Sequence, residues 1–223
     1  SEVLMTRRLV SVLICFITLS TAVYAQKRAF TIEDLYRVKP ISDVHISPDG
    51  KSVVYVVAES DLPRAKRIGH IWMMDTDGTN VRQLTFAAKG ESSPRFSPDG
   101  KSLLMVSSRD GAPNIYVIPL NGGEARRITN VSTGVADPLW SPDSKSIAFS
   151  SDVYPECGDK DECNQKTRDT WNNGPLKAHV ADTLLYRHWT DWKDGTRTHI
   201  FVANVQTGAV RDLTPGDFDS PTF

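Results

Sequence analysis

Ser47-Pro48-Asp49-Gly50-Lys51-Ser52 decides the fold, because the chain repeats it. It returns as Ser97-Pro98-Asp99-Gly100-Lys101-Ser102 and as Ser141-Pro142-Asp143-Ser144-Lys145-Ser146, with starts 50 and 44 residues apart. Proline at the second position of a four-residue turn presets φ, and Asp and Gly suit the positions behind it. Each copy runs into a β-rich string: Val53-Val54-Tyr55-Val56-Val57, Leu103-Leu104-Met105-Val106 and Ile147-Ala148-Phe149. Each copy therefore reads as a tight turn between two strands.

A second element keeps step with the first. His70-Ile71-Trp72-Met73-Met74-Asp75 leads through Asp77-Gly78 to Arg82-Gln83-Leu84-Thr85. Asn114-Ile115-Tyr116-Val117-Ile118 leads through Asn121-Gly122-Gly123 to Arg127-Ile128-Thr129. His199-Ile200-Phe201-Val202-Ala203 leads through Thr207-Gly208 to Asp212-Leu213-Thr214. Strand, glycine-containing turn and strand make a hairpin. Turn, strand and hairpin together give about four strands in roughly 44 residues, the size of one propeller blade. The expected fold is an all-β propeller, incomplete, with about three blades over 47–223 behind a lead segment 26–46. A β-sandwich with coincidental turns is the alternative. Alternation within the strands predicts one apolar and one mixed face per blade. Ser93-Pro94-Arg95-Phe96 and Asp137-Pro138-Leu139-Trp140 lead into the second and third turns, and the chain closes on a similar Ser220-Pro221-Thr222-Phe223. The expectation is a fragment that stops before its ring closes, poorly stable alone because its terminal blades lack neighbours.

The third repeat is expanded. Ser141 to Thr214 spans 73 residues, against 38 and 32 for the corresponding intervals, and the surplus falls in 152–197. An insertion of this size sits on a propeller face or rim, where function is usually carried. Its aromatic and basic side chains Tyr186, Arg187, Trp189 and Trp192 are the candidates for a substrate entrance. Decoration that packs on a neighbouring domain is the competing reading. Cys157 and Cys163 lie in the same insertion; an even pair in an exported chain predicts a disulfide. Two cysteines without a second Cys or His pair do not make a zinc site, and no metal or cofactor is expected. Asn130-Val131-Ser132 is a glycosylation sequon, a match that chance alone supplies in a chain this long.

The export reading comes from the N-terminus. Arg7 and Arg8 precede the apolar run Leu9 to Leu19, and Val23-Tyr24-Ala25 fits a cleavage site. Residues 1–25 read as a signal peptide with four upstream artefact residues before Met5, although an uncleaved anchor fits the same string. Cleavage predicts a periplasmic or secreted protein that leaves the membrane. A formal net charge of −1 gives no electrostatic reason to expect nucleic acid as a partner. The composition, 39% hydrophobic and 24% charged, is that of an ordinary globular chain. Homo-oligomerisation stays open.

The Ser-Pro-Asp-Gly-Lys turns with paired Leu-Thr or Ile-Thr strand ends resemble TolB-type propeller repeats. Phe30-Thr31-Ile32-Glu33-Asp34-Leu35 running to Val44-His45-Ile46-Ser47-Pro48-Asp49-Gly50 resembles the start of bacterial peptidases of the prolyl oligopeptidase family, in the acylaminoacyl-peptidase and dipeptidyl-peptidase branch. Leu185-Tyr186-Arg187-His188-Trp189 and Arg211-Asp212-Leu213-Thr214-Pro215-Gly216 resemble the same branch. The resemblance implies an exported serine peptidase of short peptides whose propeller restricts access to a C-terminal α/β-hydrolase domain. No Gly-x-Ser-x-Gly elbow occurs here, so this segment is expected to carry no catalytic residue. The alternative is a non-catalytic TolB-like scaffold that binds protein partners. His70 and His199 occupy repeat positions equivalent to Asn114, which predicts a structural role for both.

Overall fold

The computed structural model describes residues 28–175, 178–179, 187–188, 191–192 and 194–220. The signal-peptide reading of 1–25 and the closing residues 221–223 lie outside the described residues. The chain divides into two compact units, 1–35 and 36–223. In the described part of the first, Arg28 pairs with Asp34, whose carboxylate also accepts the Thr31 amide at 2.9 Å. That is one half of a capping box, at the start of helix α1 (Ile32–Arg37).

The second unit holds three four-stranded antiparallel sheets, each a meander in chain order. The first contains β1 (Ile41–Ile46), β2 (Ser52–Asp61), β3 (Lys66–Asp75) and β4 (Arg82–Gln83). The second contains β5 (Glu91–Phe96), β6 (Ser102–Ser107), β7 (Asn114–Pro119) and β8 (Arg126–Arg127). In the third, β9 (Ala136–Trp140) and β10 (Ser146–Val153) are followed, after the insertion, by β13 (Arg197–Asn204) and β14 (Val210–Asp212). The insertion contributes α2 (Asp161–Asn173) and the pair β11 (Arg187–His188) and β12 (Asp191–Trp192). The first sheet begins at Ile41, not at Ser47: the end of the lead segment 26–46 pairs with β2 as a strand of its own. Three blades of an open propeller are the observed fold.

The repeated turn closes identically each time. Ser47 Oγ donates to Asp49 Oδ1 at 2.6 Å, the Lys51 amide donates to the same oxygen at 3.1 Å, and the Ser52 amide donates to Ser47 Oγ at 2.9 Å. The turns at Ser97 and Ser141 reproduce these bonds. The serine hydroxyl and the Lys51 amide hold Asp49 below the usual carboxylate range, and Asp99 and Asp143 are held the same way. Gly50 and Gly100 sit at φ of 73° and 69°; Ser144 occupies the same left-handed position at 59°, without glycine's freedom.

The Leu-Thr and Ile-Thr strand ends have a shared job. The hydroxyl oxygens of Thr85, Thr129 and Thr214 accept the amides of Ile71, Ile115 and Ile200 at 2.9, 3.0 and 2.9 Å. A side chain thus continues the ladder where the short fourth strand has ended. The inner strands carry a second shared device. Asp43, Ser93 and Asp137 all adopt positive φ, at a register shift where two residues oppose one on the next strand. Each inner strand therefore has a β-bulge at the same place, which bends it.

The core lies between sheets. Val54, Val56, Ile71 and Met73 of blade one pack on Leu103, Met105 and Tyr116 of blade two. Leu104, Val106, Ile115 and Val117 of blade two pack on Ile147, Phe149, Phe201 and Ala203 of blade three. Phe149 stacks on Phe201 with centroids 5.5 Å apart. The expectation of one apolar and one mixed face fails for blades one and two: Val53 through Val56 and Leu103 through Val106 are all buried, and in blade two alternate residues serve opposite interfaces.

Ser220 corrects the sequence alignment of the lead-ins. Its amide donates to the Thr198 carbonyl, as the Val135 amide donates to that of Pro113. It lies six residues after Thr214, as Val135 and Glu91 lie six after Thr129 and Thr85. Ser220 thus matches Val135 and Glu91, two positions before Asp137 and Ser93, and the Ser-Pro likeness was out of phase.

Candidate functional site

The insertion leaves the third sheet where its ladder ends, after the Val153–Arg197 pair, and turns at once into a pinned helix. α2 has little apolar character; its sequence is Asp-Glu-Cys-Asn-Gln-Lys-Thr-Arg-Asp-Thr-Trp-Asn-Asn. Polar groups hold it instead. Buried Asn164 accepts the Tyr154 amide at 3.0 Å through Oδ1 and donates to the Gly158 carbonyl at 2.8 Å through Nδ2. Asp161 Oδ1 accepts the Ser132 amide at 2.6 Å, and Arg168 donates to the Ser132 carbonyl. Cys157 and Cys163 are bonded, with Cα atoms 5.4 Å apart, and tie the preceding turn to the first turn of the helix.

Beyond the disulfide lies an open cleft of about 810 Å³. Tyr154, Cys163, Trp171 and Pro175 supply apolar lining, and Lys166 and Asp194 supply charge. Burial, with the Asp194 carboxylate adding to it, pushes the Tyr154 phenol above its ordinary value. Three rings adjoin the cleft. His179 stacks on Trp192 with centroids 4.1 Å apart and planes 3° from parallel, and it approaches Trp171 at 5.9 Å and 44°. His179 Nδ1 is 2.6 Å from Asp194 Oδ1. Trp171 and Trp192 still expose 37% and 39% of their surface, much for indoles held by neighbours.

Of the four entrance candidates, Trp192 joins this cluster. Arg187 contributes backbone to β11, paired with Trp192, and Tyr186 and Trp189 lie outside the described residues. The residues that sequence reading missed are Trp171, His179, Asp194 and Asn164. The order of aromatic residues in the insertion gave no sign that His179 would bridge two tryptophans.

The remaining histidines show what the repeat positions do. His70 Nδ1 is 3.1 Å from Glu91 Oε2, and Glu91 also accepts from Arg109 at 2.9 Å, with no side-chain exposure of its own. Asn114 binds the Val131 amide and carbonyl. His199 lies 2.7 Å from Asp212 through Nδ1 and 2.9 Å from the Gly216 carbonyl through Nε2. Each side chain fastens the segment that runs beyond its own sheet. Both ring nitrogens of His199 are engaged within the fold, so this His–Asp pair does not present a free base to a nucleophile.

These features define a propeller segment, and the chain belongs to the TolB beta propeller domain family, which matches residues 35–223. It is 27% identical over 186 residues to dipeptidyl-peptidase 5 of Porphyromonas gingivalis, a match covering 81% of this chain and 26% of that protein. It is 45% identical over 74 residues to Tol-Pal system protein TolB 1 of Novosphingobium aromaticivorans, covering 33% of this chain and 16% of that one. The chain thus spans about a quarter of the length of the dipeptidyl-peptidase it resembles. Among solved structures, acylaminoacyl peptidase from Pyrococcus horikoshii superposes with a TM-score of 0.59 at 17% identity, over 79% of this chain and 25% of that one. That likeness shows the fold.

Proposed function

We propose that this chain is the opening section of the propeller of an exported serine peptidase that hydrolyses short peptides, its propeller restricting access to an α/β-hydrolase domain elsewhere in the same protein. The observation that carries this is the reach of the two kinds of sequence match. Similarity to the dipeptidyl-peptidase runs over 81% of the chain, the match to the Novosphingobium aromaticivorans TolB protein covers a third of it, and the propeller family match over 35–223 fits either reading. The long match is to a peptidase, and that favours the peptidase reading over the scaffold. A propeller mouth over a nucleophile would admit extended or short chains and refuse folded ones, and the periplasm or the medium is where an exported enzyme would meet them.

The test uses the full product of the gene. It should release fragments from a short peptide, leave the same sequence intact inside a folded protein, and lose activity with a serine-directed fluorophosphonate. It should fractionate outside the cytoplasm. Absence of peptide hydrolysis, or activity that survives complete fluorophosphonate labelling, defeats the peptidase reading.

A further inference from the structure

We propose that the cleft beside α2 is a docking site for the C-terminal end of a peptide whose last residue is large and apolar. The proposal rests on the peptide-substrate reading above and names where and how such a peptide is held. At about 810 Å³ the cleft lies within the size range of small-ligand sites and is larger than one side chain needs.

Its floor is fixed in advance. The Cys157–Cys163 bond and the Asn164 hydrogen bonds hold the base of α2 against Tyr154. Trp171 is steadied by His179, which Trp192 and Asp194 hold in turn. An indole kept in place yet 37% exposed offers a large apolar contact at small entropic cost, since neither wall needs ordering when the ligand arrives.

The charges select the polar end of the ligand. Asp194 Oδ1 is already engaged by His179 Nδ1 at 2.6 Å, which leaves this carboxylate one oxygen fewer for an incoming ammonium group. The Thr170 hydroxyl is spent on the Lys166 carbonyl at 2.8 Å. The Lys166 ammonium, by contrast, has no ion-pair partner among the described residues, although Glu162 and Asp169 share its helix. An apolar wall beside an unmatched cation fits an apolar side chain next to a carboxylate, and a peptide carries both on its last residue.

The test is binding, measured on the full-length protein with its nucleophile chemically blocked. The probes are acetyl-Ala-Ala-Phe as the free acid, its C-terminal amide, and acetyl-Ala-Ala-Ala as the free acid. The expected result is that the amide and the alanine peptide each bind at least tenfold more weakly than the phenylalanine acid. Lys166→Met should abolish the preference for acid over amide, and Trp171→Ala the preference for phenylalanine over alanine. Lys101→Met, in an exposed turn of blade two, should change neither. Equal binding of acid and amide, an unaltered preference in Lys166→Met, or no binding at millimolar peptide overturns the proposal. Lys166 is exposed, so its variant keeps the test decisive even where Trp171→Ala disturbs the fold. Peptide hydrolysis without this binding defeats the cleft alone. Binding without hydrolysis defeats the peptidase reading alone.

Discussion

Blade two and the insertion of blade three are held by different physics. Blade two is a sheet with both faces covered, and its β6 strand buries Leu103 through Val106 in succession. The insertion has a helix whose one buried residue is an asparagine, secured by hydrogen bonds and a disulfide. Stacked sheets gain stability from contact area repeated at every interface, whereas the insertion depends on a few specific bonds. Damage to the first should therefore spread, and damage to the second should stay local.

The sharpest way to break that contrast is Phe149→Ala. Phe149 is 2% exposed between blades two and three, and its loss should cost about 3–5 kcal/mol and lower the unfolding midpoint of the whole stack. A midpoint unchanged in urea would show that the interface does not govern stability. Asn164→Ala comes next. It strands the Tyr154 amide and the Gly158 carbonyl, at a cost of about 2 kcal/mol, and hydrogen exchange should quicken in 153–170 while β6 and β7 keep their protection. Equal loosening of β6 would erase the distinction.

We propose that Cys157 and Cys163 are bonded in the mature protein too. Closing so small a loop contributes about 2 kcal/mol in the chain-entropy model. Replacing both with Ser should again loosen the insertion and spare the blades. Thiol labelling of denatured, unreduced protein checks the bond, and two reactive thiols would reject it.

The blades were legible because their period is written three times, and the insertion was not because it has none. Yet the repeat hid details even where it was visible. The Ser-Pro-Asp-Gly-Lys string announced the turns, but Thr85, Thr129 and Thr214 gave no sign that their hydroxyls would stand in for backbone carbonyls. Pro94 and Pro138 mark lead-ins, while Asp43, followed by Val44, bulges without a proline, so in the sequence the first inner strand reads as part of a lead segment. Ser220-Pro221 matched the wrong pair of residues because short strings carry little register. In the insertion, a hydrophobic stripe would have revealed α2. Its anchors are Asn164 and a cysteine, and neither sets a helical period. The Trp171–His179–Trp192 cluster joins three separate stretches, which only tertiary structure brings together.

Smaller effects sharpen the comparison among the turns themselves. Gly100→Ala should cost about 1 kcal/mol: the new methyl meets nothing within 4 Å, so the penalty is conformational. Ser144→Gly, at the matching left-handed site, should stabilise by roughly 0.5–1 kcal/mol. Opposite signs at equivalent positions are the expected outcome in urea unfolding; the same sign at both would refute the equivalence. The turn carboxylates set an acid limb. Because Asp49, Asp99 and Asp143 lie below their unfolded values, their stabilisation is present above about pH 4 and lost as pH falls through their folded values. Changing all three to Asn should flatten the loss of stability on acidification, and an unaltered limb would show that these carboxylates do not contribute to it.

The threonine-capped rim has a consequence for life at high concentration. A sheet edge with a long row of free amides and carbonyls is a template on which another chain can grow a strand. Here β4 and β8 are two residues long, and the next inward amide, of Ile71 or Ile115, is already taken by a side-chain hydroxyl. The outermost strand of each of these blades is too short to nucleate a ladder, and the amide just beyond it is already bonded. Thr85→Val or Thr129→Val would free that amide, and the molecule would then be at risk from its own copies.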